Sequence, residues 1–186
     1  MNRADVVTKA VQILAEVGLP DLTMRRLGTE LGVQQSALYH HFANKQALLG
    51  AVADEIVATR PALPAPDPEV WEDQVRQCCT DLRAALLSYP DGADVVSSMF
   101  AFGLGGAAPF EDLATRLRTG GLDPATAEVA ARTLLHYVHG HAVAQQARET
   151  AARLGAIEQD QRPDDFGTGL DLVLVGIAGA LAPVRS

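Results

Sequence analysis

Five polar side chains between residues 34 and 40 have the types and the spacing to bind a chemically varied surface. In the stretch VQQSALYHHF, glutamine, serine, tyrosine and histidine stand where an exposed helix could simply carry charged residues. Such groups donate and accept hydrogen bonds without a long charged stem, which suits contacts to base edges and phosphates of DNA. The residues are Gln34, Gln35, Ser36, Tyr39 and His40.

Two short helix patterns must position these side chains. Thr23 is a good N-cap for a helix that runs through Leu31, and Gly32 follows where a left-handed turn residue belongs. A second short helix is expected over residues 36–42, and Asn44 caps a longer one. This arrangement is typical of a helix-turn-helix, whose second helix enters the major groove. The inner side is predicted to hold Leu27, Leu31, Val33, Ala37, Leu38 and Phe42.

The charge pattern restricts DNA binding to the N-terminal part. Residues 1–60 carry six Lys/Arg and six Asp/Glu, so the net charge of −8 falls entirely within residues 61–186. Arg25 and Arg26 open one short helix and Lys45 opens the longer helix, where cations and helix N-termini together attract phosphate. The alternative is a compact three-helix subdomain with a solvated polar face.

The stretch LTMRRLGTELGVQQSALYHHFANKQALL resembles the DNA-binding module of the tetracycline-repressor (TetR) family, and the similarity covers about residues 4–58. The resemblance implies that Thr23, Arg25, Tyr39 and Lys45 contact backbone phosphates. It also implies that a second set faces the bases. That set is Gln34, Gln35, Ser36, Ala37 and His40. Gln34 stands where the family usually has Ser or Glu, so the operator sequence does not carry over.

The rest of the chain predicts further helices and one domain boundary. The segment PALPAPDP at residues 61–68 cannot stay helical, and it separates residues 1–60, with their connecting helix 45–60, from residues 61–186. Helical patterns cover residues 69–88, 94–102, 110–118, 123–152 and 166–181, with a polar link at 155–165. No strand alternation is present, so the sequence predicts an all-α fold with a larger C-terminal ligand-binding and dimerisation domain.

Two C-terminal stretches, ALLSYPDGADVV and FGTGLDLVLVGIAG, are similar to tetracycline repressors themselves. Within each subunit a group of mostly apolar residues is predicted to line a ligand cavity, with plain core packing as the alternative. The nearby Gly103, Gly105 and Gly106 interrupt a helix and give a ligand a way in. The predicted lining residues are Arg60, Trp71, Val75, Cys78, Leu82, Val96, Met99, Phe100, Phe110, Leu113 and His136.

Departures from the subgroup change the expected ligand. His136 matches a histidine of the tetracycline site, but Val96 stands where that subgroup has the histidine that holds the drug-bound magnesium. Cys78 and Leu82 replace an Asn and a Phe that hold the drug, and Ala144 replaces a Glu near the metal. These departures argue against magnesium–tetracycline and favour a small hydrophobic or aromatic inducer.

The stretch HYVHGH offers the strongest alternative chemistry. His136 and His139 are three residues apart on one predicted helix, but no Cys, Asp or Glu stands within helical reach of them. We therefore expect no metal and no cofactor. Two other roles are open for these histidines, namely packing in a dimer interface and a hydrogen bond to a ligand. An enzyme would have the cluster His136, His139 and His141 as its only catalytic candidate. The adjacent Cys78 and Cys79 are too close for an ordinary disulfide, and oxidant sensing by Cys78 is a further alternative.

The last helix pattern predicts self-association. Residues 166–181 are apolar nearly all round, and a single domain of this size would struggle to cover such a helix. We infer a homodimer in which this helix and the helix at 123–152 pair with their counterparts, the alternative being burial within one chain. No stretch predicts a signal peptide or a membrane span, so a cytoplasmic protein is expected.

These patterns together predict a transcriptional repressor that binds palindromic double-stranded operator DNA as a homodimer. A small-molecule inducer would shift the segment 94–118, move the connecting helix and so release the operator. Two alternatives stay open: a constitutive DNA-binding dimer without an effector, and a helical enzyme that uses the histidine cluster.

Overall fold

The computed structural model describes residues 1–158 and 164–181, and within these ranges it contains helices and no strand. The predicted all-α fold is therefore confirmed. The link predicted at 155–165 lies partly outside the described residues. The helices are α1 (Arg3–Asp21), α2 (Met24–Glu30), α3 (Gln35–Leu38), α4 (Lys45–Ala58), α5 (Trp71–Leu87), α6 (Gly92–Ala101), α7 (Ala108–Thr119), α8 (Pro124–Arg153) and α9 (Phe166–Gly179).

Side-chain caps determine where α2, α4 and α8 begin, as a capping box at Asn2 does for α1. The Thr23 hydroxyl accepts the Arg26 N–H at 3.1 Å before α2, and the Asn44 side chain accepts the Ala47 N–H at 2.8 Å before α4. Asp123 accepts two N–H groups at the start of α8, where Pro124 occupies the first turn. Each cap satisfies a backbone donor that has no partner inside its helix.

The first of two compact units comprises residues 1–60 and 84–107. Within it α4 packs against both α1 and α6, and α2 packs against α1 and α3. A continuous apolar core explains why such short helices stay ordered, because an isolated helix of this length is marginal in water. Its fully buried side chains include Val6, Ile13, Leu14, Leu27, Leu38, Phe42, Leu48, Val52 and Ile56.

The second compact unit comprises residues 61–83 and the described residues from Ala108 onward. Here α8 packs against α7 on one side and α9 on another. At the start of α5 the Trp71 ring lies on Gly120, leaving no room there for a side chain. The buried core of α7, α8 and α9 includes Leu113, Leu117, Leu134, Leu135, Val138, Phe166, Leu170 and Leu174.

Several boundaries differ from those that the sequence predicts. The helix α3 covers residues 35–38 rather than 36–42, and the chain continues in a turn in which the Leu38 carbonyl accepts both the His41 and the Phe42 N–H. The predicted division at residue 60 coincides with one boundary between the compact units, whereas residues 84–107 group with the first unit. The assignment of functions to residues 1–60 and 61–186 stays a prediction. None of the described helices is long and apolar enough to cross a bilayer.

Candidate nucleic-acid interface and ligand domain

The helix-turn-helix is fixed by one left-handed turn and a small apolar centre. Gly32 has φ +68°, a conformation that glycine adopts at no steric cost, and the Val33 N–H then donates to the Gly28 carbonyl at 2.9 Å. Leu27 and Leu38 are fully buried between α2 and α3. The turn and this packing together hold α3 at the surface of the first unit.

The outer side of α3 and of the turn that follows presents the predicted polar side chains. Gln34, Gln35, Ser36, Tyr39 and His40 are all exposed, and only Ala37, the other predicted base contact, is half-buried. The Gln35 side-chain amide donates to the Tyr39 hydroxyl at 3.1 Å, one turn further on. This bond orients a predicted base contact and a predicted phosphate contact relative to each other.

The cations beside this surface differ in availability. Arg26 is half-buried and lies 3.6 Å from Glu30, whereas Arg25 is exposed. Lys45 is half-buried in the first turn of α4, whose N-terminus is capped by Asn44. No carboxylate lies within ion-pair distance of Arg25 or Lys45 in the described chain, so both charges are available to an anion.

Sequence spacing missed one further cation in this unit. The Arg3 guanidinium lies 4.7 Å from the centroid of the Phe42 ring, a favourable cation–π distance. Arg3 is exposed at the start of α1, while Phe42 is buried behind α3. The two residues are far apart in sequence, so only the packing of α1 could reveal the pair.

The predicted ligand-lining residues fall in both compact units. Of these, Arg60, Phe100 and Phe110 are half-buried, and His136 is exposed. Burial alone does not separate a ligand contact from a core residue, so the lining set stays a prediction. The fully or nearly fully buried members are Trp71, Val75, Cys78, Leu82, Val96, Met99 and Leu113.

The cysteines are not suited to sensing oxidants. Both side chains are fully buried. Burial, and then the neighbouring Cys78, raises the pKa of the Cys79 thiol far above its usual range. Because the thiolate is the reactive form, the raised pKa disfavours reaction of Cys79 with oxidants, and burial limits the access of oxidants to Cys78.

The histidines of α8 have three different surroundings. His139 is buried, and this burial, with the charge of His136 adding, lowers the pKa of His139 to about 4. His136 is exposed on the same helix. His141 lies 3.2 Å from an Asp165 carboxylate oxygen and 4.0 Å from one of Asp164. The three histidines are therefore not one cluster.

Within the described residues, one set could present three ligand atoms to a metal ion, namely His141, Asp164 and Asp165. The Asp164 carboxylate, however, already lies 2.9 Å from the Arg83 guanidinium and accepts the Phe166 N–H at 3.1 Å. These contacts engage both carboxylate oxygens of Asp164 and connect the start of α9 to Arg83 on α5.

The outer surface of α8 and α9 exposes large apolar side chains. Leu172 and Val175 on α9 are each 72% exposed, and Val129 on α8 is 59% exposed. On the opposite side of α9, Leu170 and Leu174 are buried. The sequence predicts that this helix is apolar on nearly all sides. In the single chain, one of these sides is buried and the other is exposed to solvent.

Comparison with known proteins gives matches to both parts of the chain. The family model described as bacterial regulatory proteins, tetR family, matches residues 6–52, and the tetracyclin repressor-like C-terminal domain matches residues 63–163. The tetracycline repressor protein class G of Vibrio anguillarum is 34% identical over 172 residues, which cover 88% of this chain and 76% of that repressor.

Solved structures share the whole architecture. Mycobacterium smegmatis BioQ is 42% identical with a TM-score of 0.87, over 97% of this chain and 99% of BioQ. BioQ bound to its natural double-stranded DNA operator is 40% identical with a TM-score of 0.81, over 96% and 99% of the two chains. A TetR variant from Acinetobacter baumannii AYE in complex with minocycline is 33% identical with a TM-score of 0.78, over 98% and 99%.

Proposed function

This chain belongs to the tetR family of bacterial regulatory proteins, and from that premise we propose that it is a ligand-responsive transcriptional repressor which binds operator DNA as a homodimer. The observation that carries the proposal is the exposed polar face of α3, held at the surface by a left-handed turn and flanked by available cations. The structure of BioQ with its operator supports DNA as the partner.

In the proposed complex α3 lies in the major groove. Gln34, Gln35, Ser36 and His40 reach base edges, while the half-buried Ala37 offers only a methyl group to a thymine methyl. Thr23, Arg25, Tyr39 and Lys45 contact phosphates and fix the orientation of α3. The hydrogen bond from Gln35 to Tyr39 connects a residue proposed to contact a base with one proposed to contact a phosphate, so the two side chains orient each other.

A two-fold dimer suits the uncovered apolar surface of α8 and α9. Burying such a surface between identical subunits removes exposed leucine and valine side chains from water, which favours association. Two recognition helices then meet half-sites roughly 34–36 Å apart on a palindromic operator. Self-association through residues 123–152 and 166–181 accordingly belongs to the proposal.

The proposed effector is a small hydrophobic or aromatic molecule. The minocycline complex of the A. baumannii TetR supports a small-molecule ligand, and the apolar side chains at Cys78, Leu82 and Val96 favour a less polar one here. To act as an inducer, it must bind the DNA-incompetent state more tightly than the DNA-bound state. Inducer and operator then weaken each other by the same factor.

The main alternative is a constitutive DNA-binding dimer. In that case the seven buried members of the eleven predicted lining residues form a filled core, which has no room for an effector. The relatives reported above are transcriptional regulators, and we propose no enzymatic activity. The two readings separate in a compound screen on the operator. Compounds that bind the protein and release DNA reciprocally support the repressor, and failure of every compound to bind the protein or release DNA supports the constitutive dimer.

The first experiment is selection of bound duplexes from random DNA, followed by binding measurements with two variants. Gln35→Ala removes a base contact, and we expect a loss of roughly 10-fold in discrimination at one operator position, since a bidentate base contact contributes about 1–3 kcal/mol. Lys45→Ala removes a phosphate contact, so it weakens binding to all sequences alike and lowers the salt slope by about 1.

Matched control variants exist for both changes. Gln46 is an exposed glutamine on α4, and Lys9 is the chain's other lysine, on α1. Gln46→Ala is expected to keep the base preference, and Lys9→Ala is expected to keep the salt slope. An unchanged base preference in Gln35→Ala, or undiminished low-salt affinity in Lys45→Ala, would contradict this docking of α3.

A further inference from the structure

The residue before α6 has a backbone conformation that is uncommon for any residue other than glycine. Asp91 has φ +56°, and it is the one non-glycine residue with positive φ among the described residues. It stands at the N-cap of α6, where an aspartate usually binds a backbone N–H of its own helix. Its side chain makes no such bond. A strained residue that gives up its local role points to a constraint elsewhere.

The Asp91 carboxylate instead binds α1, 72 residues away. Its Oδ2 atom accepts the Leu19 N–H at 2.8 Å. Leu19 follows the interruption of α1 at Gly18, where the helical hydrogen-bond ladder is broken and backbone donors need other partners. A side chain at Gly18 would have its Cβ 2.6 Å from the same oxygen, so the glycine leaves the room that the carboxylate occupies.

The other end of α6 is bound to α4 in a similar way. The Gly106 N–H donates to the Asp54 carboxylate at 2.7 Å. Beside this bond the backbone of Gly105 lies directly on that of Gly50 in α4, and a Cβ on either glycine would overlap the main chain of the other segment. No side chain separates the loop from α4 at this point.

These contacts attach α6 to the two long helices that support the helix-turn-helix. The helix α1 packs against α2, and α4 carries Lys45 in its first turn. Both carboxylates bind main-chain N–H groups, and beside Asp54 the backbone of the loop after α6 lies directly on that of α4. A displacement of α6 therefore acts on the positions of α1 and α4.

We propose that Asp91 and Asp54 are positioning residues for DNA binding, which fix α6 to α1 and α4 and thereby set the orientation of the helix-turn-helix. The inference rests on the proposed function, because it assigns these residues to operator binding. The proposed function involves only a movement of the connecting helix α4. The inference adds a contact to α1, so that α6 is bound to α1 at its start and to α4 through the loop after its end.

The test compares variants that lack one of the two carboxylates with control variants in which a nearby acidic residue loses the same charge. Asp91→Gly keeps the left-handed backbone at no steric cost and removes only the acceptor, and Asp54→Ala removes the second acceptor. The controls are Asp94→Ala on α6 and Glu55→Ala on α4, both exposed. Asp91→Asn keeps an acceptor oxygen and serves as the conservative variant.

The first measurement is affinity for the duplex selected by the unmodified protein. We expect Asp91→Gly and Asp54→Ala to lose at least 10-fold, while Asp91→Asn and both controls stay within about 3-fold. Removing a carboxylate makes the protein less acidic, which by charge alone strengthens DNA binding. A loss of affinity therefore has the opposite sign to the charge effect.

The second measurement is the distance between spin labels on Glu30→Cys in the two protomers without DNA. Cys78 and Cys79 are fully buried, so we expect the label to react only with the introduced cysteine. We expect broader distance distributions in Asp91→Gly and Asp54→Ala and an unchanged distribution in the controls. Wild-type affinity with a narrow distribution in both variants overturns the proposal.

Two further outcomes separate the possible failures. A loss of affinity that is matched by loss of the helical circular-dichroism signal assigns the aspartates to folding alone and overturns the positioning role. Failure of the unmodified protein to select any duplex, or to give any inter-protomer distance, contradicts the proposed function itself.

Discussion

At the scale of single residues, the binding face of α3 is arranged before any DNA is present. The Gln35 amide donates to the Tyr39 hydroxyl, and neither side chain is buried. A glutamine amide has two N–H donors, so with one engaged by Tyr39 the second N–H and the carbonyl oxygen of Gln35 remain for a base. Operator preference at that position therefore depends on Tyr39 as well as on Gln35.

His139 gives a prediction about pH. Burial first, and the charge of His136 second, lowers its pKa from the usual 6.5 to about 4. Between these values the unfolded chain binds a proton at His139 that the folded chain does not, so the folded state loses stability as the pH falls from about 6.5 towards 4. We expect His139→Gln to show a smaller decrease in unfolding free energy between pH 7 and pH 5 than the wild type in urea titrations.

His136→Gln is the matched control, because it removes an imidazole from an exposed position on the same helix. It removes only the smaller of the two causes that lower the pKa of His139 and leaves the burial of His139 in place, so we expect most of the wild-type pH dependence to remain. If His139→Gln lost as much stability on acidification as the wild type, the buried imidazole could not be the group that titrates on unfolding.

At the scale of helices and loops, the proline-rich segment after residue 60 is held by a buried polar pair. Arg116 on α7 is 5% exposed and donates to the Pro64 carbonyl and to Gln74, each at 3.1 Å. Gln74 in turn binds the backbone of Ala65 and Asp67. The segment that the sequence predicts as a domain boundary is therefore fixed through its main chain.

Arg116→Met is expected to release this segment. The change keeps most of the apolar side chain but leaves the Pro64 carbonyl without its donor, and hydrogen bonds to charged groups contribute about 1.5–3 kcal/mol. We expect a loss of about 2 kcal/mol in unfolding free energy, with faster amide exchange around residues 65–70. Arg118→Met on the same helix is exposed and should change neither quantity. Exchange at the wild-type rate in Arg116→Met would show that the pair does not hold the segment.

Much of the fold could be predicted because its signals are local. Thr23, Asn44 and Asp123 cap helices through bonds that reach no more than three residues, so the starts of α2, α4 and α8 follow from sequence. The bond between Asp91 and Leu19 could not be predicted, because 72 residues separate the partners. The length of α3 was overestimated because its end depends on the packing of the turn that follows.

The candidate site divides in the same way. The polar residues of α3 belong to one contiguous stretch and are exposed as the pattern predicts. The ligand-lining set joins residues from distant helices, and apolar patterns alone cannot tell a cavity wall from a filled core. His136 illustrates the difficulty: it is exposed, whereas its neighbour His139 on the same helix is buried.

At the scale of the whole molecule, the uncovered face of α9 leads to a prediction about assembly. Leu172 is 72% exposed in the single chain, and a glutamate there would place a charge in the proposed dimer seam. We expect Leu172→Glu to sediment as a monomer and to lose about 100-fold in operator affinity, because binding two half-sites as one unit gives avidity gains of that order.

Val70→Glu is the control for this change, since Val70 is 44% exposed and lies just before α5. It adds the same charge at an apolar surface position outside α8 and α9. We expect it to sediment like the wild type. A Leu172→Glu protein that remains dimeric would place the association surface elsewhere.

The brevity of α3 has a consequence for how operator preference can change. A helix of four residues completes barely one turn and cannot maintain its shape alone, so the side chains behind it, such as Leu38 and Phe42, determine its tilt. Substitutions there would re-aim every base-facing group at once without touching a nucleotide. New target sequences are therefore accessible to this regulator through its interior, and a directed-evolution library confined to the outward residues would overlook them.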